Sequence, residues 1–270
     1  MTYLKDRKGR GEGSGDAYDP YYHIQDRSTR KSSERIPSPT GGRNIHVLGR
    51  EETAAFYLYS WSPNEIDISE QFPLKIEKTQ EIAKDCRLHH PTRKGVPRVI
   101  ACTFRLHYLQ KGREQIAFRT VAKLSTIPSM LVELELQRQY FEQQGADWGI
   151  ITDEDIPWNM ARNIEHIYGL RNLDNPSRFP DEIRERQNEI KQVLLVAAAE
   201  EGRSIETLVS IASSRLQLDT SHLVNFCWHL IFKRVLSVDM NSEIQIHGTI
   251  IRPYNHKLEV GQKYVSDTYQ

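Results

Sequence analysis

The stretch Val99-Ile100-Ala101-Cys102-Thr103-Phe104-Arg105-Leu106-His107-Tyr108, then Gln110-Lys111-Gly112-Arg113, then Gln115-Ile116-Ala117-Phe118-Arg119-Thr120-Val121-Ala122-Lys123 decides the reading of this chain. β-Branched and aromatic residues flank a polar turn that carries a glycine, the pattern of a β-hairpin. Side chains two apart share a face of a strand. Thr103 and Arg105 therefore share one face of the first strand. Arg119, Val121 and Lys123 share one face of the second.

Helical spacing precedes the hairpin at Glu52, Ala55, Phe56 and Tyr59, and a break is expected at Pro63-Asn64. Ile66-Asp67-Ile68 alternates like a strand, and Thr79 to Lys84 reads as a second helix. His89-His90-Pro91-Thr92-Arg93-Lys94-Gly95 reads as a loop. Its adjacent histidines lack a third ligand nearby, so solvated or hydrogen-bonded roles are expected before a metal. After the hairpin, Pro128-Ser129 opens a helix that ends near Gly145, and Trp148 to Thr152 reads as a buried strand. Asp153-Glu154-Asp155 reads as a turn leading into a helix over 156–168. The β-β-α-β order predicts an α/β core, a mixed sheet with flanking helices.

The first 44 residues are rich in Gly, Ser and Arg and are expected to form a mobile leader arm. Within it, Tyr18-Asp19-Pro20-Tyr21-Tyr22 suggests a docking knot of exposed aromatics. The expected organisation is a leader over 1–44, a sheet domain over 45–172 and a mainly helical domain over 173–270, after the linker Asn172 to Pro180. In the last part, helices are expected over Asp181 to Glu200, Ile205 to Arg215 (capped by Ser204) and Ser221 to Arg234. Strand-like pieces follow at Val235 to Val238 and Ile244 to His247. Helices, a turn, a helix and a wing read as a winged helix-turn-helix. Its last helix would expose Ser221, His222, Asn225 and His229 and end in Lys233-Arg234, types that meet bases and phosphates. Winged helices also bind proteins, and Phe226, Trp228 and Phe232 keep that alternative open.

Lysine plus arginine and aspartate plus glutamate number 36 each, so the total charge offers no case for nucleic acid; only local clusters could. The 3 cysteines, Cys86, Cys102 and Cys227, have neither a zinc-binding spacing nor an even number, as suits a reducing cytoplasm. No apolar run approaches the roughly 20 residues that span a bilayer, and neither a signal peptide nor a membrane partner is expected.

Taken in order, the residues resemble the TnsA endonuclease-subunit family of heteromeric, Tn-seven-type bacterial transposases. The likeness runs through Gly9-Arg10-Gly11-Glu12-Gly13-Ser14-Gly15, Tyr18-Asp19-Pro20-Tyr21, Ala54-Ala55-Phe56 and the block Asp67-Ile68-Ser69-Glu70-Gln71-Phe72-Pro73-Leu74. It continues through His90-Pro91, Gly95-Val96, the hairpin, Leu134-Glu135-Leu136, Tyr140, Trp148 and Thr152-Asp153. The resemblance implies a restriction-endonuclease-like fold, Mg²⁺ and cleavage of the 5′ strands at transposon-end DNA. It also implies a TnsB-like transposase and a TnsC-like AAA+ ATPase as partners.

The family's active site uses a helix Glu, a strand Asp and a Gln-x-Lys on the next strand. The resemblance carries the Glu onto Glu52, which would be both catalytic and a metal ligand. The Asp falls on Thr103, the Gln on Arg119 and the Lys on Val121, with Lys123 two residues further along the same face. An acid is thus lost and a cation gained. Two unit charges about 4 Å apart at an effective dielectric near 20 repel by about 4 kcal/mol, so Mg²⁺ binding is expected to weaken. Arg119 and Lys123 would instead grip a phosphate. The leading expectation is a non-cleaving DNA-binding and assembly subunit. One alternative is an active nuclease with Glu52 and Lys123 in a rearranged site, with Glu51, Asp67 or Glu70 replacing the lost acid. Another is a winged-helix transcriptional regulator.

Overall fold

The computed structural model describes residues 9–26, 32–62, 66–200 and 202–254. Residues 1–8 of the leader, the break expected at Pro63-Asn64 and the end of the C-terminal region lie outside them. The chain divides into two compact units between Ile156 and Pro157. Among the described residues, no helix is long and apolar enough to cross a membrane.

In the first unit, β1 (Glu34–Pro37) and β2 (Asn44–Val47) pair antiparallel and lead into helix α1 (Arg50–Ser60). Then come β3 (Ile66–Pro73), α2 (Ile76–Asp85), β4 (Thr92–Arg93), β5 (Val96–Pro97), β6 (Ala101–Gln110), β7 (Arg113–Ala122), α3 (Ile127–Glu142) and β8 (Asp147–Thr152). The main sheet has the order β3-β6-β7-β8. Its first three strands are antiparallel, and β8 lies parallel to β7 after the crossover through α3. Gln110 pairs with Arg113 across the two-residue turn Lys111-Gly112. Both turn residues have positive φ, 51° and 73°, which matches the turn to the strands' twist.

Helices cover both sheet faces. On one, Tyr59 of α1 meets Phe104 edge-on at 5.7 Å. On the other, Phe118 stacks on Phe141 of α3 at 4.3 Å, and the Trp148 indole N–H donates to Thr120 Oγ1 at 3.2 Å. Cys102 lies in this second core, and burial pushes its thiol up to about 11. The expected α/β core of sheet and flanking helices is present.

The leader and the loop differ from expectation. The described residues 9–26 pack on the outer edge of β3 rather than forming a free arm. Tyr18 and Tyr21 are buried, and the Tyr18 hydroxyl donates to Glu70 O at 3.0 Å. Tyr21 N donates to Gln71 O at 3.3 Å, and Tyr22 Oη to Val99 O at 2.8 Å. The aromatic knot thus docks on the protein's own sheet, covering an edge that would otherwise invite strand pairing. The stretch expected as a loop holds β4 and the turn of a hairpin completed by β5, with Arg93 opposite Val96.

The second unit holds α4 (Trp158–Tyr168), α5 (Asp181–Glu185), α6 (Gln187–Ala198), α7 (Ile205–Leu216), α8 (Thr220–Phe232), β9 (Leu236–Ser237) and β10 (Arg252–Pro253). It begins before the linker in which the boundary was expected, because α4 belongs to its core. His166 meets Trp228 at 5.7 Å, Tyr168 meets Phe232 at 6.0 Å, and His229 Nδ1 donates to Leu170 O at 2.8 Å. Ser204 caps α7 as expected, whereas Asp219 caps α8 by accepting from Ser221 N and His222 N. The helix expected over Asp181 to Glu200 is two helices that meet at Arg186. The strand expected at Ile244 to His247 does not form. Asn163 Oδ1 accepts from Ile244 N and Thr249 Oγ1 from Gln245 N, so a turn takes those donors. Leu236–Ser237 pairs instead with Arg252–Pro253.

The main sheet carries an ion pair between strands in which Arg119 is buried and Asp147 is half-exposed. Arg119, 1% exposed, lies on the face covered by α1. Its Nη1 and Nη2 reach Asp147 Oδ1 and Oδ2 at 2.9 and 3.0 Å, and Nη1 also donates to Phe118 O at 2.9 Å. Asp147→Asn leaves this guanidinium without its counter-charge. Because the Asp147 side chain is 49% exposed, the cost sits at or below that of a fully buried pair. Urea unfolding is expected to show a loss of about 2–4 kcal/mol, partly recovered when Arg119→Met is added.

Candidate active site

Glu52 is the third residue of α1, whose N-cap is Gly49. A carboxylate at this position faces the unpaired amides of the first turn. Glu52 Oε2 accepts from Leu48 N at 2.8 Å and from Gln71 Nε2 at 3.1 Å. Gln71 is buried, with φ 50°, a left-handed conformation that favours glycine, and its carbonyl holds Tyr21 N. One residue therefore ties the N-terminal segment, the edge strand β3 and the acid of α1 together. Helical periodicity found Glu52. It gave no signal for Gln71, whose role depends on a local twist of β3.

The other expected positions surround β7. Thr103 is buried, and its Oγ1 accepts from Val121 N at 2.9 Å. The β6–β7 register ends at Phe104 opposite Arg119. The Thr103 hydroxyl therefore serves the next strand amide where a backbone carbonyl would have stood. Val121 is buried and apolar. Lys123 is exposed and lies 3.5 Å from Glu51 Oε1. It pairs with Glu51 rather than with Glu52.

Arg119 corrects an expectation. Its guanidinium neither opposes a metal nor offers itself to a phosphate. It is buried and turned to Asp147 at the start of β8, which neutralises it locally. The expected repulsion between Arg119 and a metal therefore has no basis in the structure. The proposed substitute acids are also engaged. Glu70 is fully buried between both oxygens' bonds to Arg43 Nη1, at 3.0 and 2.9 Å, and His46 N at 2.8 Å. Burial pushes its carboxyl up, and Arg43 opposes that shift. Asp67 Oδ2 accepts from Gly15 N at 3.2 Å. The sequence gave no sign of Arg43 or Asp147 as partners, because each lies 27 or 28 residues from the group it pairs with.

A Mg²⁺ ion needs hard anionic oxygens converging on one point. Here Thr103 offers a hydroxyl committed to the sheet, Val121 is apolar, and Glu52 Oε2 already accepts two N–H donors. Among the described residues, no group of three His, Cys, Asp or Glu is arranged to hold a metal. The residues present do not fit the ion that the resemblance implies.

The expected recognition helix is also corrected. From Phe226 to Ile231, α8 is buried throughout, His229 included. Its Asn225 reaches Arg178 O at 3.4 Å, and Arg234 reaches Tyr254 Oη at 3.4 Å. Ser221 and His222 cluster on the acidic cap Asp219, and only Lys233 stands at the exposed end as expected. These positions do not form one exposed basic face.

If Glu52 is a structural acid, Glu52→Ala is destabilising in metal-free buffer. Urea unfolding in EDTA is expected to show a loss of about 1–2 kcal/mol, from two lost hydrogen bonds including one to a helix-start amide. A residue kept only to hold metal would instead leave stability unchanged or raised, since its removal relieves an unpaired charge.

A family model described as the TnsA endonuclease C terminal matches residues 155–240. The transposition protein TnsA of transposon Tn7 from Escherichia coli is 28% identical over 249 residues, covering 86% of this chain and 91% of that protein. The likeness spans both compact units, including α1, the hairpin and the helices after Ile156. Over both units the chain is thus similar to TnsA proteins.

Proposed function

We propose that this protein is a subunit of a Tn7-like transposition machine that works on transposon-end DNA without cutting it. Its role is to hold DNA and partner proteins, a TnsB-like transposase and a TnsC-like AAA+ ATPase, in one assembly. The observation that carries the reading is Thr103, which stands where the family has an acid and spends its hydroxyl on Val121 N. Strand hydrolysis in the family depends on Mg²⁺ to activate water and to stabilise charge on the phosphate. Without a second acid beside Glu52 the ion has no adequate seat.

The active alternative, with Glu52 and Lys123 in a rearranged site, has no support in the geometry. Lys123 is engaged by Glu51, and each substitute acid has its own partner. The regulator alternative needs an exposed recognition helix, and α8 is largely enclosed.

The test combines purified protein, a TnsB-like partner, transposon-end DNA and Mg²⁺, with nicks mapped on both strands. The reading predicts 3′ cuts made by the partner and intact 5′ strands, so that products in cells stay joined to the donor. Clean 5′ nicks that vanish in Glu52→Ala overturn it.

A further inference from the structure

The β4–β5 hairpin has no part in the site above, yet it is built with care. Thr92 pairs with Pro97 and Arg93 with Val96, leaving Lys94-Gly95 as a two-residue turn. Both have positive φ, 52° and 74°. This is the geometry that a two-residue hairpin turn requires, as at Lys111-Gly112, and it carries the Lys94 side chain at the exposed tip. A second such position lies just upstream. Leu88 N bonds to Ala83 O at 2.7 Å and Arg87 has φ 55°, so the helix end closes through an arginine where glycine is usual.

The ribbon is anchored at its base. His90 Nε2 lies 2.9 Å from Thr79 Oγ1 of α2, and Arg98 N donates to Pro91 O at 2.9 Å. Arg98 also pairs with Glu133 of α3. The tip is thereby carried on the sheet domain's helices, and Thr92, Arg93, Lys94 and Gly95 are all exposed.

Charge is concentrated along this segment. From Lys84 to Lys94 the cations are Lys84, Arg87, Arg93 and Lys94, against the single acid Asp85, in a chain whose total charge is +0. Among the described residues, Lys84, Arg87 and Lys94 form no ion pair. None of the exposed large hydrophobic side chains lies between 84 and 98. A protein interface needs apolar or aromatic anchors, which this surface lacks. A phosphate backbone needs only spaced cations on a rigid support.

We infer that the hairpin 92–97, with Lys84 and Arg87 behind it, is a contact for the phosphate backbone of duplex DNA. Arg93 and Lys94 neutralise phosphates and position the duplex without reading its bases. The inference rests on the reading of the protein as a DNA-handling subunit and adds the element that takes hold. It replaces α8 as the main DNA contact.

The test measures binding of the full chain to a duplex of arbitrary sequence across a range of salt concentrations. Arg93→Gln and Lys94→Gln are each expected to weaken binding about five- to tenfold near 0.1 M salt. Each is expected to flatten the slope of log affinity against log salt by about one. Lys78→Gln, a lysine of α2 already paired with Glu81 at 3.0 Å, is expected to leave both unchanged. Circular dichroism confirms that each variant is folded. If the wild type binds and the folded Arg93 and Lys94 variants bind equally well, the hairpin inference fails and the DNA-subunit reading stands. If the wild type shows no salt-dependent binding, both fail. Preference for polyglutamate over DNA overturns the inference in favour of an acidic protein.

Discussion

Two N–H donors on one carboxylate organise the centre of the first unit. Glu52 Oε2 takes the amide of Leu48 at the start of α1 and the side-chain amide of Gln71 from the bent edge strand. Those bonds fasten the chain entering the helix, and they link it to β3 and, through Gln71 O, to the N-terminal segment. A carboxylate in that position has structural value of its own, since it satisfies a backbone amide and a buried side-chain amide. Glu52 thus has a structural use that needs no metal.

Two ion pairs support the same frame. Arg43 and Glu70 hold β3 to the segment before α1, and Arg119 and Asp147 hold β7 to β8. Such pairs gain little net stability over apolar packing, but removing one partner strands a buried charge, Glu70 in one pair and Arg119 in the other. Arg119 is the instructive case. Placed at the family's Gln position, it looks from the sequence like a cation in a metal site. In the fold its side chain runs along the parallel strands to a partner of its own.

Much of the architecture was legible in the sequence. The hairpin announced itself through two β-branched runs around Lys111-Gly112, and α1 and α3 through apolar spacing. The motif from Glu70 to Pro73 carried the family resemblance, but its physical meaning was hidden. Glu70 and Gln71 act on Arg43 and Glu52, and such long-range pairings leave no local pattern. The leader misled for a related reason. Its glycine-rich composition predicts mobility, whereas Tyr18, Tyr21 and Tyr22 supply enough buried surface and hydrogen bonds to dock it. In α8, helical spacing placed His229 outside. The apolar residues Phe226, Trp228 and Ile231 show instead a helix packed on several sides, which is buried nearly all round.

The account turns on whether Glu52, whose Oε2 already accepts two N–H donors, can seat a divalent ion with Thr103 at the position where the resemblance expects an acid. Titration calorimetry of Mg²⁺, and of Mn²⁺ as a tighter-binding substitute, into the full chain measures this directly. The account predicts no saturable heat beyond dilution into the millimolar range, for the wild type and for Glu52→Ala alike. One-site saturable binding that disappears in Glu52→Ala would contradict it.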